Sequence, residues 1–270
     1  MPCGGYANLM SRVKDIRLKV IPSKIANDFV KANHYSGKVV QNSKLHFGAF
    51  LDNVLHGVMS FGSSTLKERT ARVVRGTGFN EFIELNRMAF DEVLPKYSES
   101  RCISIAMKLI KKQAPHIKWV VSFADGCQSG DGTIYRAVGF VLVSVKKNTT
   151  MILLPNGEVT HKMNFALRCS PSFAKKWNPK NKRTKSIMEE IGAKPLKGFQ
   201  LKYIYFLYPE EQKNLTVPIL PFSKIKEMGA SMYLGKKCDV GVKRSTTSIQ
   251  DVGGGAIPTT SLHLERQYAY

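Results

Sequence analysis

Nothing in the sequence approaches the roughly 18 consecutive apolar residues of a membrane span, and residues 1–19 lack the continuous apolar core of a secretory leader. The five cysteines (Cys3, Cys102, Cys127, Cys169 and Cys238) are odd in number, widely spaced and never paired as CxxC. That pattern argues against a disulfide framework and against a zinc knuckle, and a reducing cytoplasm is the expected compartment. There is no GxGxxG and no internal repeat. Acidic residues are scarce: 20 Asp and Glu face 41 Lys and Arg, a formal charge of +21 in 270 residues. Solubility needs far less, so a polyanion is the simplest partner, and nucleic acid rewards such a surface through counterion release. A ribosomal or membrane surface, or a basic surface without a specific ligand, would share the same balance.

With 43% hydrophobic and 23% charged residues, the chain has the composition of a globular domain with a real core. Ile16, Leu18 and Val20 alternate as a short strand up to Pro22, and Ser23 is placed to cap a helix carrying Ile25, Ala26, Phe29 and Val30. That helix stops near Asn33, where His34-Tyr35-Ser36-Gly37 supplies a turn. Two strands, 45–50 and 54–61, flank Asp52-Asn53 as a hairpin. Residues 65–79 form a polar excursion with Arg69, Arg72 and Arg75, and 82–90 a strand with polar residues among its apolar ones.

Beyond Pro95, Ser98 or Ser100 opens an amphipathic helix ending at Lys111-Lys112. The apolar run 119–124 is a buried strand emptying into Asp125-Gly126, followed by a short helix over 132–138 and strands over 139–145 and 200–207. Pro155-Asn156-Gly157 marks a further hairpin. Strands alternating with helices predict an α/β fold, a mixed central sheet flanked by helices, with ligands beyond the strand ends.

Two segments stand apart. Residues 160–197 form a basic insertion, with Lys175, Lys176, Lys180, Lys182, Arg183 and Lys185 around Trp177. Cations interleaved with aromatics suit a DNA-contacting surface, while a solvated helix-loop-helix with a buried Trp177 fits equally well. Residues 236–270, rich in Ser, Thr and Gly, read as a flexible tail after a domain spanning 1–235.

The ordered set Glu84-Leu85-Asn86-Arg87, Glu99-Ser100-Arg101, Ser122-Phe123-Ala124-Asp125 and Gly132-Thr133-Ile134-Tyr135-Arg136-Ala137 resembles the Mom family of phage DNA-modification proteins. His34-Tyr35-Ser36 upstream and Lys202-Tyr203-Ile204-Tyr205-Phe206-Leu207 downstream fit the same order, so the resemblance covers about residues 16–232. It implies a fold like the GNAT acetyltransferases and an enzyme that places a carbamoylmethyl-type, acyl-derived group on N6 of adenine in double-stranded DNA. Such an enzyme works in the bacterial host cytoplasm, where the mark shields phage DNA from restriction.

Position by position, the resemblance implies an active-site set of His34, Arg87, Asp125 and Tyr135 with Ser122 and Tyr35 beside them. Lys96, Ser98, Ser100 and Arg101 fall where an acetyl-CoA or related acyl-CoA would leave its pyrophosphate. A metal requirement and the oligomeric state are left open. Each residue has a structural reading too: Asp125 capping the next helix, Arg87 pairing with Glu84 or Glu81, Tyr135 in the core, His34 in a turn. Two other functions remain at this stage: an acyl-CoA-dependent N-acetyltransferase for RNA or protein amines, and a non-catalytic nucleic-acid binder.

Overall fold

The computed structural model describes residues 12–127, 130–162, 188–189, 192–230, 232–233 and 236–237, all of which belong to one compact unit, Met1–Cys238. The strip Lys175–Lys185 with Trp177, and nearly all of the 236–270 segment, lie outside the described residues. In chain order the elements are β1 (Arg17–Val20), α1 (Ser23–Asn33), β2 (Ser43–Leu51), β3 (Val54–Gly62), α2 (Lys67–Ala71), β4 (Phe82–Phe90), α3 (Ser98–Gln113) and β5 (Trp119–Asp125). There follow α4 (Thr133–Val138), β6 (Val141–Lys147), β7 (Met151–Leu153), β8 (Val159–His161), β9 (Lys194–Pro195), β10 (Phe199–Phe206), α5 (Ser223–Glu227), β11 (Met232–Tyr233) and β12 (Lys236–Lys237).

The expected mixed α/β fold is present. A seven-stranded sheet runs β1-β2-β3-β4-β5-β10-β6. Every neighbouring pair is antiparallel except β4 and β5, which lie parallel. Parallel neighbours need a crossover, and α3 supplies it. The β2–β3 hairpin turns on Asp52 and Asn53, both at positive φ (51° and 62°), the type I′ geometry that favours Asx residues. The 155–157 hairpin instead feeds a separate small sheet, β8-β7-β9.

Alternation along the strands gives the large sheet two chemically different faces. On the α3 face, Phe47, Met59, Phe61, Leu85, Val120, Leu142 and Tyr203 join Ile103, Ala106 and Met107 of α3 in the main core. The other face is covered in two patches. At one, Ala26 and Val30 of α1 pack on Val58 and Ala89; at the other, Val74 and Leu215 meet Phe82, Trp119, Val121 and Ile204. Phe82 and Trp119, paired in the β4–β5 register, stack with centroids 4.4 Å apart.

Two serines expected to cap helices do not. The N-cap of α1 is Pro22 and that of α3 is Tyr97 in a left-handed conformation (φ 74°), with no side-chain cap bond at either. Ser98 turns its hydroxyl back onto the Pro95 carbonyl at 2.5 Å, satisfying the loop rather than the helix.

Candidate active site

Between the two apolar patches the α1 face is polar, and an irregularity in β4 makes it so. Glu84 pairs with Gly62 and Leu85 with Phe61, after which the register shifts and Arg87 pairs with Ser60. In a regular strand residues three apart face opposite ways. The extra residue, Asn86, is a bulge that returns Arg87 to the side of Glu84. Asn86 accepts a hydrogen bond from Ser43 Oγ (2.8 Å), while its buried Nδ2 has no partner. Arg87 donates through Nε to the Lys38 carbonyl (2.9 Å), pinning the turn after α1, and through Nη1 to the Asn86 carbonyl. Burial lowers the Arg87 pKa against the pull of Tyr35 and Glu84. Burial also raises the Glu84 carboxyl, opposed by a Ser64 hydrogen bond and by the charges of Arg87 and Lys202. Glu81 is engaged elsewhere, with Lys118 at 2.9 Å.

The turn that Arg87 holds carries His34 and Tyr35. The His34 N–H closes α1 on the Val30 carbonyl, and Gly37, at φ +57°, donates back to the His34 carbonyl. The Ser36 N–H donates to His34 Nδ1 at 3.1 Å, so the neutral ring carries its proton on Nε2. The Tyr35 ring leans on the imidazole with centroids 4.2 Å apart, and more than half of it is exposed. Burial, then the positive charge of Arg87, lowers the His34 pKa from 6.5 to about 4. At neutral pH this imidazole is therefore an uncharged ring. An NMR titration is expected to leave the His34 ring signals unmoved from pH 7.5 to pH 5.5, and a midpoint above 6 would contradict the burial described. The unfolded ring protonates near 6.5 and the folded one near 4, so this group's contribution to stability falls as the pH drops through that window.

β4 and β5 are paired only from Phe82↔Trp119 to Leu85↔Ser122, although β4 runs on to Phe90 and β5 to Asp125. The strands part there, leaving a fork. Ser122 donates its hydroxyl proton to the Leu85 carbonyl (2.9 Å) at the last pair before the fork. Ser122 is also a neighbour of the Tyr135 hydroxyl and opposes the rise in its pKa. Tyr135 is buried from α4 against Phe140 and Tyr203, with ring centroids 5.3 Å away in each case, and burial raises its pKa. The structure places Tyr135 in the core as a buried phenol, on the strand side of α4 near Ser122.

Asp125 does not cap α4, whose N-cap is Gly132. Its Oδ1 accepts from Gln200 Nε2 (2.8 Å) and the Cys127 N–H (3.0 Å), which fixes the carboxylate at the end of β5. The Cys127 thiol is driven up to about 12, by burial first and by Asp125 next, so it is no thiolate nucleophile. Cys127 also lines a cavity of about 470 Å³ whose other walls include Tyr35, Ser36, Lys38, Glu158 and Leu196. The His34–Tyr35 turn and the Asp125 loop thus face each other across one space.

The residues ahead of α3 form a second place. Ser100 donates to the Tyr97 carbonyl (3.1 Å) and Lys96 sits 5.4 Å from the Tyr97 ring. With Ser98 and Ser100 turned inward, the groups left for an anion are the backbone N–H groups of the first turn, Lys96, and Arg101, whose buried Nε has no partner. Among the described residues no three His, Cys, Asp or Glu side chains gather as a metal site, and no helix is long and apolar enough to cross a membrane. Sequence reasoning missed Glu84, Lys38 and Cys127 as site residues. Only the polar positions inside an apolar strand pointed toward the first.

Taken together, these features define a mixed α/β protein with polar side chains gathered where β4 and β5 part. The chain belongs to the Mom protein family, whose model matches residues 15–224. It is 35% identical over 152 residues to the methylcarbamoylase mom of Escherichia phage Mu, a match spanning 56% of this chain and 62% of that relative. Among solved structures, a Bacillus subtilis acetyltransferase in complex with CoA is 11% identical, covering 71% of this chain and 98% of its own, with a TM-score of 0.39. FeeM, an N-acyl amino acid synthase from uncultured soil microbes, is 12% identical, covering 74% and 95%, with a TM-score of 0.42.

Proposed function

We propose that this protein is a Mom-type transferase that attaches a carbamoylmethyl-type, acyl-derived group to N6 of adenine in double-stranded phage DNA, within the host cytoplasm. Family membership and the phage Mu relative support the class of reaction. The observation that carries the chemistry is the Asp125 carboxylate fixed by Gln200 and the Cys127 N–H at the end of β5, with the buried phenol of Tyr135 near Ser122 on the same strand. The exocyclic amine of adenine is a poor nucleophile because its lone pair is delocalised into the ring. In the acyl-transfer step Asp125 takes the amine proton as N6 bonds to the acyl carbon and the thioester C–S bond breaks, with Tyr135 donating to the departing sulfur; the product of this step is an N6-acyl adenine, and its conversion to a carbamoylmethyl-type group draws the amide nitrogen from a separate amine donor. Arg87 and neutral His34 hold the turn carrying Tyr35, which flanks the cavity where an unstacked base fits.

An acyl-CoA fits the start of α3, where the first-turn N–H groups, Lys96 and Arg101 would hold its pyrophosphate; it would supply an activated acyl carbon. In this reading residues 1–235 are the catalytic domain and 160–197 its second DNA contact. The test is mass spectrometry of nucleosides from plasmid DNA of cells expressing the protein. A deoxyadenosine adduct is expected, and its added mass identifies the transferred group. An adduct on another base replaces the substrate. Unmodified DNA beside soluble protein overturns the reading in favour of RNA or protein amines.

A further inference from the structure

The sheet face that carries Glu84, Arg87 and Asp125 continues across β5, β10 and β6, and there it turns cationic. Gln200 pairs with Asp125 on one side and with Lys146 on the other, and Lys202 pairs with Phe123. Directly paired residues, and residues two apart, share a face. Lys146, Phe123 and Lys202 therefore form one surface with Asp125. Lys146 is exposed, Phe123 is 39% exposed, and Lys202 Nζ lies 5.5 Å from the Phe123 ring. α2 lies on the same face, where its Ala71 packs against the cluster of Phe82, Val121 and Ile204, and it carries the exposed Arg69.

Like charges gathered this way repel one another, and a polyanion relieves the repulsion while releasing counterions. An acidic protein would offer carboxylates only. Cations around an exposed aromatic ring match a ligand that carries phosphate and base together. We propose that Arg69, Lys146 and Lys202 hold backbone phosphates of duplex DNA flanking the target nucleotide, with Phe123 as a stacking surface next to Asp125. This rests on DNA as the substrate and adds where the strand lies: across β5, β10 and β6, on the α1 face. None of its residues belongs to the Lys175–Lys185 strip.

The experiment is fluorescence anisotropy with a short labelled duplex over a range of salt, comparing the wild-type chain with two double variants of equal charge change. Arg69→Ala with Lys146→Ala removes two exposed cations from the surface. Lys108→Ala with Lys112→Ala removes two exposed cations from α3, which packs on the opposite face. At a loss of about 0.9 in log–log salt slope per phosphate, the first variant is expected to flatten the slope by about 1.8 and, with the two lines converging near 1 M salt, to bind about 60-fold more weakly at 0.1 M. The second is expected to stay near wild type. Equal slopes for the two variants overturn the site while leaving DNA as substrate. A wild-type protein that ignores DNA at every salt overturns both, and tighter binding to RNA, lost in the first variant, overturns the choice of ligand.

Discussion

Tyr135→Phe is expected to lower the rate at which adducts accumulate in plasmid DNA by about 10²–10³-fold while leaving the protein folded and DNA-bound. The phenyl ring keeps its packing against Phe140 and Tyr203. Ser122 keeps its own bond to the Leu85 carbonyl, so the deletion strands no buried donor on its neighbour. Loss of one hydroxyl hydrogen bond costs about 0.5–1.5 kcal/mol of stability, a change thermal unfolding resolves without confusing it with unfolding of the domain. What disappears is the proton. Burial keeps it on the phenol at neutral pH, and no other group described at Ser122 replaces it. Adduct formation within about threefold of wild type would remove Tyr135 from the chemistry and leave it a packing residue.

Asp125→Asn tests the other end of the proton path. The amide has the size of the carboxylate, and its oxygen still accepts from Gln200 and from the Cys127 N–H, so the loop geometry at the end of β5 is preserved. It cannot take a proton from the amine. Adduct formation is expected to fall by about 10²–10⁴-fold, with DNA affinity unchanged. Retained turnover would assign the proton to another acceptor on the same face, and Glu84, brought there by the bulge, would be the next carboxylate to replace.

Much of the local architecture is readable in the chain because its signals are short in range. Alternation at 16–20, the apolar run at 119–124 and the Asp52-Asn53 pair each specify an element without help from distant residues. The helix starts were less legible. A serine before an apolar periodic stretch is the usual capping signal, yet Pro22 and Tyr97 hold those positions, because the loop carbonyl of Pro95 competes for the Ser98 hydroxyl. Strand order could not be read either, since β10 inserts between β5 and β6 from more than 50 residues downstream.

By itself the sequence determined the excess of positive charge, the α/β pattern, the positions of His34, Arg87, Asp125 and Tyr135, and the family to which they belong. Only the tertiary structure decided how those side chains are arranged. Strand parity places Glu84 and Arg87 on opposite faces, and it takes the Asn86 bulge, defined by pairing with Ser60 and Phe61, to bring them to one. The fork that exposes the neighbourhood of Tyr135 exists because β4 and β5 stop pairing at Leu85 and Ser122. The neutrality of His34 follows from burial beside Arg87, more than 50 residues away in the chain. Each of these depends on which distant segments meet, and a pattern read along one strand carries no record of its partner.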